Sequence, residues 1–425
     1  MNILIVGAGY VGLATGITLA KKEHKVKFYD KDKEKIELLK KGKLFFFEPK
    51  LQEALKEITK SQDVFFSNNI KEALEDIEIV FVCVGTPILK DGRTNSKDIE
   101  KAIKEIKKYA TKDLVVAIKS TINPKVYTSI KNILASSKFH LSVNPEFLRE
   151  GSALNDSLNP SRIVIGTEDE YAKKILSKLY ASFEAPKIFT NPISAILTKY
   201  ASNSFLAVKI SFINEIASLS DKIGANIDDI ALGIGLDPRI GKDYLKAGIG
   251  YGGSCLPKDT KNMVKYAREI GVRLDVINSV YKINERQYKV VIEKLQKHLG
   301  SLKGRTIAIF GLSFKGGTDD IRNSVSLKII SNLEKEGAIL RLHDFLAFEN
   351  AKKMFSETFI SKDPYVVVKG TDAIVVATDW KEYTNLNWEK IKKLMKGNLI
   401  IDGRNILDRD LLKKIGFVYE GIGRK

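Results

Sequence analysis

Cys255 stands in the run Gly250-Tyr251-Gly252-Gly253-Ser254-Cys255-Leu256-Pro257-Lys258-Asp259. Glycines let a backbone come close to a ligand. Pro257 suits the first turn of a helix, so the thiol is expected just ahead of a helix N-terminus. That position and the neighbouring Lys258 both favour the thiolate, which is the nucleophilic form. Asp259 could accept a proton. The other cysteine, Cys83, lies in Val80-Phe81-Val82-Cys83-Val84 and reads as an inert thiol inside a strand.

Three further segments carry polar groups that a plain core would avoid. Lys119-Ser120-Thr121 ends an apolar run. The carboxyl ends of parallel strands face a ligand crevice, though a simple strand-to-helix turn reads the same way. Asn144-Pro145-Glu146-Phe147-Leu148-Arg149-Glu150-Gly151 places two glutamates and an arginine in one loop. Such a loop could bind a sugar or form a solvated ion pair. Lys199 and Asn203 are four apart, hence on one face of a helix. Tyr200, Phe205, Leu206 and Phe212 indicate that much of this helix is buried, so both polar groups need partners or a cavity. An exposed helix edge is the alternative.

Gly7, Gly9 and Gly12 form G-x-G-x-x-G. The first glycine permits a tight turn, the second a close approach to a pyrophosphate, and the third close packing of helix on strand. A helix N-terminus there offers free N–H groups to phosphates. Asp30 falls where a carboxylate meets the adenosine ribose hydroxyls. It would repel a 2′-phosphate, so NAD is expected rather than NADP.

The elements that must carry these groups follow from the pattern of apolar runs. Strands are expected at residues 2–6, 25–29, 79–84, 114–118 and 140–143, with lysine-rich helices between them. Short apolar strands alternating with helices indicate a parallel, doubly wound sheet. From residue 194 to 223 there is no proline or glycine, which suits one long helix. Alternation resumes near Gly304, with strands expected at 306–310, 339–343, 373–377 and 399–401 and a helix at 324–336. The fold class is therefore α/β, with two Rossmann-like doubly wound domains joined by a central helical region. The expected domains are 1–193 for the dinucleotide, 194–300 for helices and dimerisation, and 301–425 for the substrate. The second sheet lacks the glycine fingerprint of the first.

Composition excludes several classes. A chain of 425 residues with 29% charged residues suits a globular enzyme of two or three domains. No apolar run approaches the roughly 18 to 20 residues that span a bilayer, so no membrane partner is expected. Nothing at the N-terminus reads as a signal peptide, and two isolated cysteines argue against disulfides, so a cytoplasmic protein is expected. Four scattered histidines offer no metal-ligand spacing. The net charge of +18 is spread along helices without interleaved aromatics, which suits a solvated surface rather than nucleic-acid binding.

Together these residues resemble the UDP-glucose/GDP-mannose dehydrogenase family. The resemblance runs from the Gly7 fingerprint through Gly85-Thr86-Pro87, Lys119-Ser120-Thr121, the 145–150 loop and Pro160-Ser161-Arg162. It continues through the Cys255 loop to Lys315 and Asp319-Asp320-Ile321-Arg322. It implies NAD-dependent, four-electron oxidation of UDP-glucose at C6 to UDP-glucuronate, through a thiohemiacetal and a thioester on Cys255. It places Lys199, Asn203, Asp259, Thr121 and Glu146 with Cys255 as catalytic groups. Tyr10, Val11, Lys35, Thr86, Thr121, Glu150, Lys258 and Arg322 would join Gly7, Gly9, Gly12 and Asp30 at NAD. Phe147, Leu148, Arg149, Glu150, Lys199, Asn203, Tyr244, Leu245, Gly248, Gly252 and Lys315 would hold the nucleotide sugar. Arg239 would reach the substrate of a neighbouring subunit in a homodimer built on the long helix. One departure is the loop Phe314-Lys315-Gly316-Gly317-Thr318, where glycines replace the family's usual residues and a looser loop is expected.

Overall fold

The computed structural model describes residues 1–89 and 91–424. The chain forms two compact units, Met1–Ser202 and Asn203–Lys425. In the first, eight strands make one sheet: β1 (Asn2–Val6), β2 (Lys25–Tyr29), β3 (Val64–Ser67), β4 (Ile79–Val82), β5 (Leu114–Ile118), β6 (Phe139–Val143), β7 (Ile163–Gly166) and β8 (Lys187–Thr190). Their order is β3-β2-β1-β4-β5-β6-β7-β8. The chain reverses direction across the sheet at the β1–β4 pair, the place where such folds bind ligands. Ile3, Ile5, Phe28 and Phe81 on one face and Leu4, Val80 and Val116 on the other are fully buried, as a sheet covered on both faces requires.

The second unit holds β9 (Thr306–Phe310), β10 (Ile339–His343), β11 (Phe359–Ser361), β12 (Ala373–Val376), β13 (Leu399–Asp402) and β14 (Val418–Glu420). Their order, β11-β10-β9-β12-β13-β14, repeats that of the first six strands. Gly311 follows β9 as Gly7 follows β1, with φ near +99°. A Cβ at Gly311 would stand 2.2 Å from Thr378 Cβ, so only glycine fits. Asp344 follows β10 as Asp30 follows β2, yet it is wholly buried. It accepts bonds from Leu312 N, Ser313 N and Oγ, Leu346 N, Ala347 N and Trp380 Nε1. Those bonds use the acceptor capacity that a ribose would need.

Three expectations need correction. β6 and β7 pair antiparallel, through Val143 and Gly166, so the first sheet is not wholly parallel. β4 stops at Val82, which leaves Cys83 just past the strand, buried and with its N–H on the Val6 carbonyl. The long helix, Pro192–Ile223, is buried on one side only. Tyr200 is buried, but Phe205 is 63% and Phe212 48% exposed. The helix carries two apolar stripes, and its own chain covers one of them. Strands β3, β7, β8, β11 and β14 escaped the pattern of apolar runs. They are three or four residues long, too short for alternation to declare itself. Among the described residues, no helix is long and apolar enough to cross a membrane.

Candidate active site

In the Met1–Ser202 unit the fingerprint loop joins β1 to the helix Tyr10–Lys21. Gly7 has φ near +97°, and a Cβ there would stand 2.9 Å from the Cys83 backbone. At Gly12 it would lie 1.9 Å from the Gly7 carbonyl oxygen. At Gly9 it would meet nothing within 4 Å. Two glycines thus serve packing, while Gly9 faces open space at a helix start, which fits a pyrophosphate. Asp30 accepts the N–H of Ala8 and of Asp32, each at 3.0 Å, which aims its carboxylate beside the loop. Lys35 lies 3.7 Å from Asp32 and over the ring of Phe45. Thr86 donates its hydroxyl to the Thr121 carbonyl at 2.7 Å, so these two threonines belong to one cluster.

The 146–151 loop follows β6. Glu146 is buried and meets Lys199 at 2.8 Å, and its second oxygen accepts the Leu148 N–H at 2.6 Å. Burial alone would raise its pKa. The ammonium groups of Lys199 and Lys119 and the Leu148 N–H outweigh that, so the carboxyl lies below its usual range. Phe147 lies under the Arg162 guanidinium at 3.8 Å and within 5.4 Å of Lys199 Nζ. Arg149 reaches out of the loop. It makes a bidentate bond to Asp156. Lys119 is half-buried, and loss of solvent lowers its pKa. It donates to Asn144 Oδ1 at 3.0 Å, which anchors the start of the same loop. Burial pushes the Cys83 thiol up to about 12, in keeping with an inert core cysteine.

In the Asn203–Lys425 unit, Cys255 is the N-cap of the helix Leu256–Glu269, with Pro257 in its first turn. Its Sγ lies 3.5 Å from Ser254 Oγ. Asp259 is wholly buried, pairs with Lys258, and accepts Asn203 Nδ2 at 2.6 Å. The glycine-rich loop ahead of Cys255 is pinned at Gly248, Gly250 and Tyr251. Asn214 accepts Gly248 N–H at 2.8 Å and Gln287 donates to the Gly248 carbonyl at 2.9 Å. Asn284 bonds both backbone groups of Tyr251. Arg404 donates to the carbonyls of Gly250 and Ala377 at 2.7 and 2.8 Å. A Cβ at Gly252 would lie 2.3 Å from the Asn323 carbonyl.

Tyr244 adopts φ near +66°, a conformation that costs a bulky side chain about 1–3 kcal/mol and often marks a site. Leu245 beside it is buried. The loop with Lys315 is held rather than loose. Phe314 N–H bonds the Asp320 carbonyl at 3.0 Å and Gly316 N–H bonds Asp379 at 2.8 Å. Arg322 pairs with Asp320, and Arg239 is exposed and pairs with Asp237.

Sequence reasoning missed Glu48, Asn214, Asn284, Gln287 and Arg404. Each is a polar side chain that serves backbone groups of a site loop. Asn284 and Gln287 share one helix face, which was a readable signal. Arg404 in Asp402-Gly403-Arg404 had only its place at the end of a strand.

The chain matches three domains of one family in order. These are the UDP-glucose/GDP-mannose dehydrogenase NAD binding domain at residues 1–184, the central domain at 193–286 and the UDP binding domain at 308–409. It is 41% identical to a UDP-glucose 6-dehydrogenase of Rickettsia typhi, with both chains covered in full. It is also 41% identical to one of Bacillus subtilis, over all of this chain and 98% of that one. A UDP-glucose dehydrogenase from Pyrobaculum islandicum shares its structure with a TM-score of 0.93 and 33% identity, over 100% and 98% of the two chains. A UDP-D-ManNAc dehydrogenase from Pyrococcus horikoshii follows with a TM-score of 0.88 and 30% identity, over 100% and 99%. The NAD binding domain makes NAD the cofactor, in agreement with the open space at Gly9. By its matched domains and its full-length relatives, the chain belongs to the UDP-glucose/GDP-mannose dehydrogenase family.

Proposed function

We propose that this enzyme oxidises UDP-glucose at C6 to UDP-glucuronate, in two steps that each reduce one NAD, through a covalent thioester on Cys255. The observation that carries the proposal is Cys255 itself, a thiol at the head of a helix behind a loop held at Gly248, Gly250 and Tyr251. Relatives of equal length that act on UDP-glucose support the choice of sugar.

NAD, when bound, supplies the hydride acceptor. Gly7, Gly9, Gly12, Tyr10, Val11, Asp30, Lys35, Thr86, Thr121, Glu150, Lys258 and Arg322 would hold it. An aldehyde has no hydride to give until a nucleophile adds. The Cys255 thiolate adds to the C6 aldehyde, and the thiohemiacetal then loses a hydride to become a thioester. Lys199 and Asn203 offset charge that grows on oxygen. Their buried partners, Glu146 and Asp259, hold them in place, and either carboxylate can take a proton from the water that releases the acid. Asp259 and Thr121 share the proton transfer. Phe147, Leu148, Arg149 and Glu150 would grip the sugar, and Tyr244, Leu245, Gly248, Gly252 and Lys315 would serve the nucleotide sugar.

The proposed domains, 1–193, 194–300 and 301–425, follow the three family segments. The proposed assembly is a homodimer through the long helix. Leu197, Phe205, Phe212 and Leu219 form an exposed ridge along it, with Leu232 on the next helix, Ile227–Gly235, and Leu236 just after it also exposed. Arg239 would serve the partner's substrate. Two free thiols suit a reducing cytoplasm.

The test is NADH release from UDP-glucose, UDP-galactose, GDP-mannose, UDP-GlcNAc and UDP-ManNAc. UDP-glucose should give about two NADH per sugar, as the thioester route requires. Cys255→Ala should lose steady turnover while still binding NAD and the nucleotide sugar, whereas Cys83→Ala should keep it. Acid formation by Cys255→Ala at the normal rate would overturn the mechanism. A preference for UDP-ManNAc would overturn the sugar.

A further inference from the structure

Residues 44–49 read Leu-Phe-Phe-Phe-Glu-Pro, and nothing in the reaction above falls to them. Glu48 in this strip is only 3% exposed. A buried carboxylate is costly unless it is hydrogen-bonded. Its Oε2 accepts the N–H of Gly151 at 2.7 Å and its Oε1 the N–H of Ala153 at 2.8 Å. Ala153 opens the helix Ala153–Leu158, whose own N-cap, Ser152, makes no side-chain cap bond. A side chain more than one hundred residues away in sequence does that work.

A second anchor comes from the fingerprint. Tyr10, the first residue of the fingerprint helix, donates its hydroxyl to the Arg149 carbonyl at 2.7 Å. Burial, together with the carboxylates of Glu48 and Glu150, holds the Tyr10 phenol far above its usual range, so it remains a donor. Tyr10 also packs on Phe46 from the strip, with ring centroids 5.8 Å apart. Glu150 therefore lies between two fixed points, the Arg149 carbonyl held by Tyr10 and the Gly151 N–H held by Glu48.

We propose that Glu48 is a positioning residue that couples the cofactor loop at Tyr10 to the 146–151 loop, so that its carboxylate sets the affinity for both NAD and the nucleotide sugar. The proposal rests on the reading of the 146–151 loop given above. None of the ligand contacts proposed above falls to Glu48. It acts by holding the backbone on either side of Glu150. Gln at this position keeps one acceptor oxygen and loses the other. Ala loses both.

The experiment compares Glu48→Gln, Glu48→Ala and a control, Asp169→Ala, in the full chain. Asp169 caps the helix Glu170–Leu179 and has no part in the site. Each variant is measured by NAD titration without sugar, by kcat and KM for UDP-glucose, and by melting temperature. Glu48→Ala should weaken NAD and raise the sugar KM by about tenfold each, equivalent to ~1.4 kcal/mol. Its kcat should fall by less than either. Glu48→Gln should lie between Ala and the unmutated chain, and it carries the test if Glu48→Ala fails to fold. Asp169→Ala should lower the melting temperature and leave both affinities alone. A lower melting temperature with unchanged NAD affinity and sugar KM would reduce Glu48 to a helix cap and overturn the proposal. So would a change in one affinity without the other. Absence of UDP-glucose turnover in the unmutated chain would instead strike the proposed function, and the NAD titration would still decide the cofactor half.

Discussion

Gly9→Ala should separate folding from cofactor binding. Gly9 has φ −82° and ψ −164°, a backbone conformation open to any residue. A Cβ there meets nothing within 4 Å, so the bare chain should fold unchanged. Replacing glycine where the backbone permits stabilises by about 0.4–1 kcal/mol through the unfolded chain. Alanine is a poorer N-cap than glycine by a comparable amount, so the two effects roughly offset. The melting temperature should move by no more than about 2–4 °C, the shift expected from ~1 kcal/mol in units of this size. NAD should feel the methyl directly, because it fills the approach to the helix N–H groups. Losing one hydrogen bond to a charged phosphate costs about 1.5–3 kcal/mol. The dissociation constant should therefore rise by roughly 10- to 100-fold. Gly12→Ala is the contrast. Its Cβ would sit 1.9 Å from the Gly7 carbonyl, so the loop itself must deform and stability must fall. Calorimetric titration with NAD and thermal melting of the bare chains decide the matter. NAD binding by Gly9→Ala at full strength, or melting as low as Gly12→Ala, would refute the reasoning.

Asp30→Ala should narrow the preference for NAD over NADP, because a carboxylate now fixed by Ala8 N–H and Asp32 N–H no longer repels a 2′-phosphate. Equal use of both cofactors by the unmutated enzyme would end that argument. If the proposed homodimer forms through the long helix, Phe205→Glu with Phe212→Glu should shift its sedimentation mass to that of a monomer, since both rings are exposed there. An unchanged mass would clear the helix of that role. Glu420 gives the pH prediction. Burial works to raise its pKa, but bonds from His298, Lys297 and Lys294 bring it down from 4.5 to about 2. A depressed acid stabilises the fold above its unfolded pKa and loses that contribution as pH falls through its folded one. Urea midpoints should therefore drop between pH 4.5 and about 2, and Glu420→Gln should be less stable at neutral pH and flatter over that interval. Parallel curves for the two proteins would contradict the assignment.

The glycine fingerprint was legible in the sequence because it is local. Gly7, Gly9 and Gly12 lie within six positions, and the acid follows at the end of the next strand. Covalent geometry sets their relations before any tertiary contact forms. The same holds for Cys255 and Pro257, which put a thiol at a helix start by spacing alone. The long helix was legible in length but not in burial. Periodicity reports that a stripe is apolar. It does not report what covers the stripe, and at Phe205 and Phe212 the chain itself does not.

Chain reading alone determined the glycine fingerprint, the two doubly wound halves and the thiol at a helix start, all features carried by neighbours in sequence. Tertiary structure decided who holds them. Glu146 could have paired with Arg149 three residues away, but it pairs with Lys199, and Arg149 pairs with Asp156. Glu48 reaches Gly151, Asn284 reaches Tyr251 and Arg404 reaches Gly250, across separations from 33 to 154 residues. Asp344 sits where Asp30 sits in the other half, yet six bonds from its own domain occupy it. The physical reason is common to all of these. A buried polar group must find a partner, and the partner is whichever group folding brings within about 3 Å, a distance that sequence spacing does not encode.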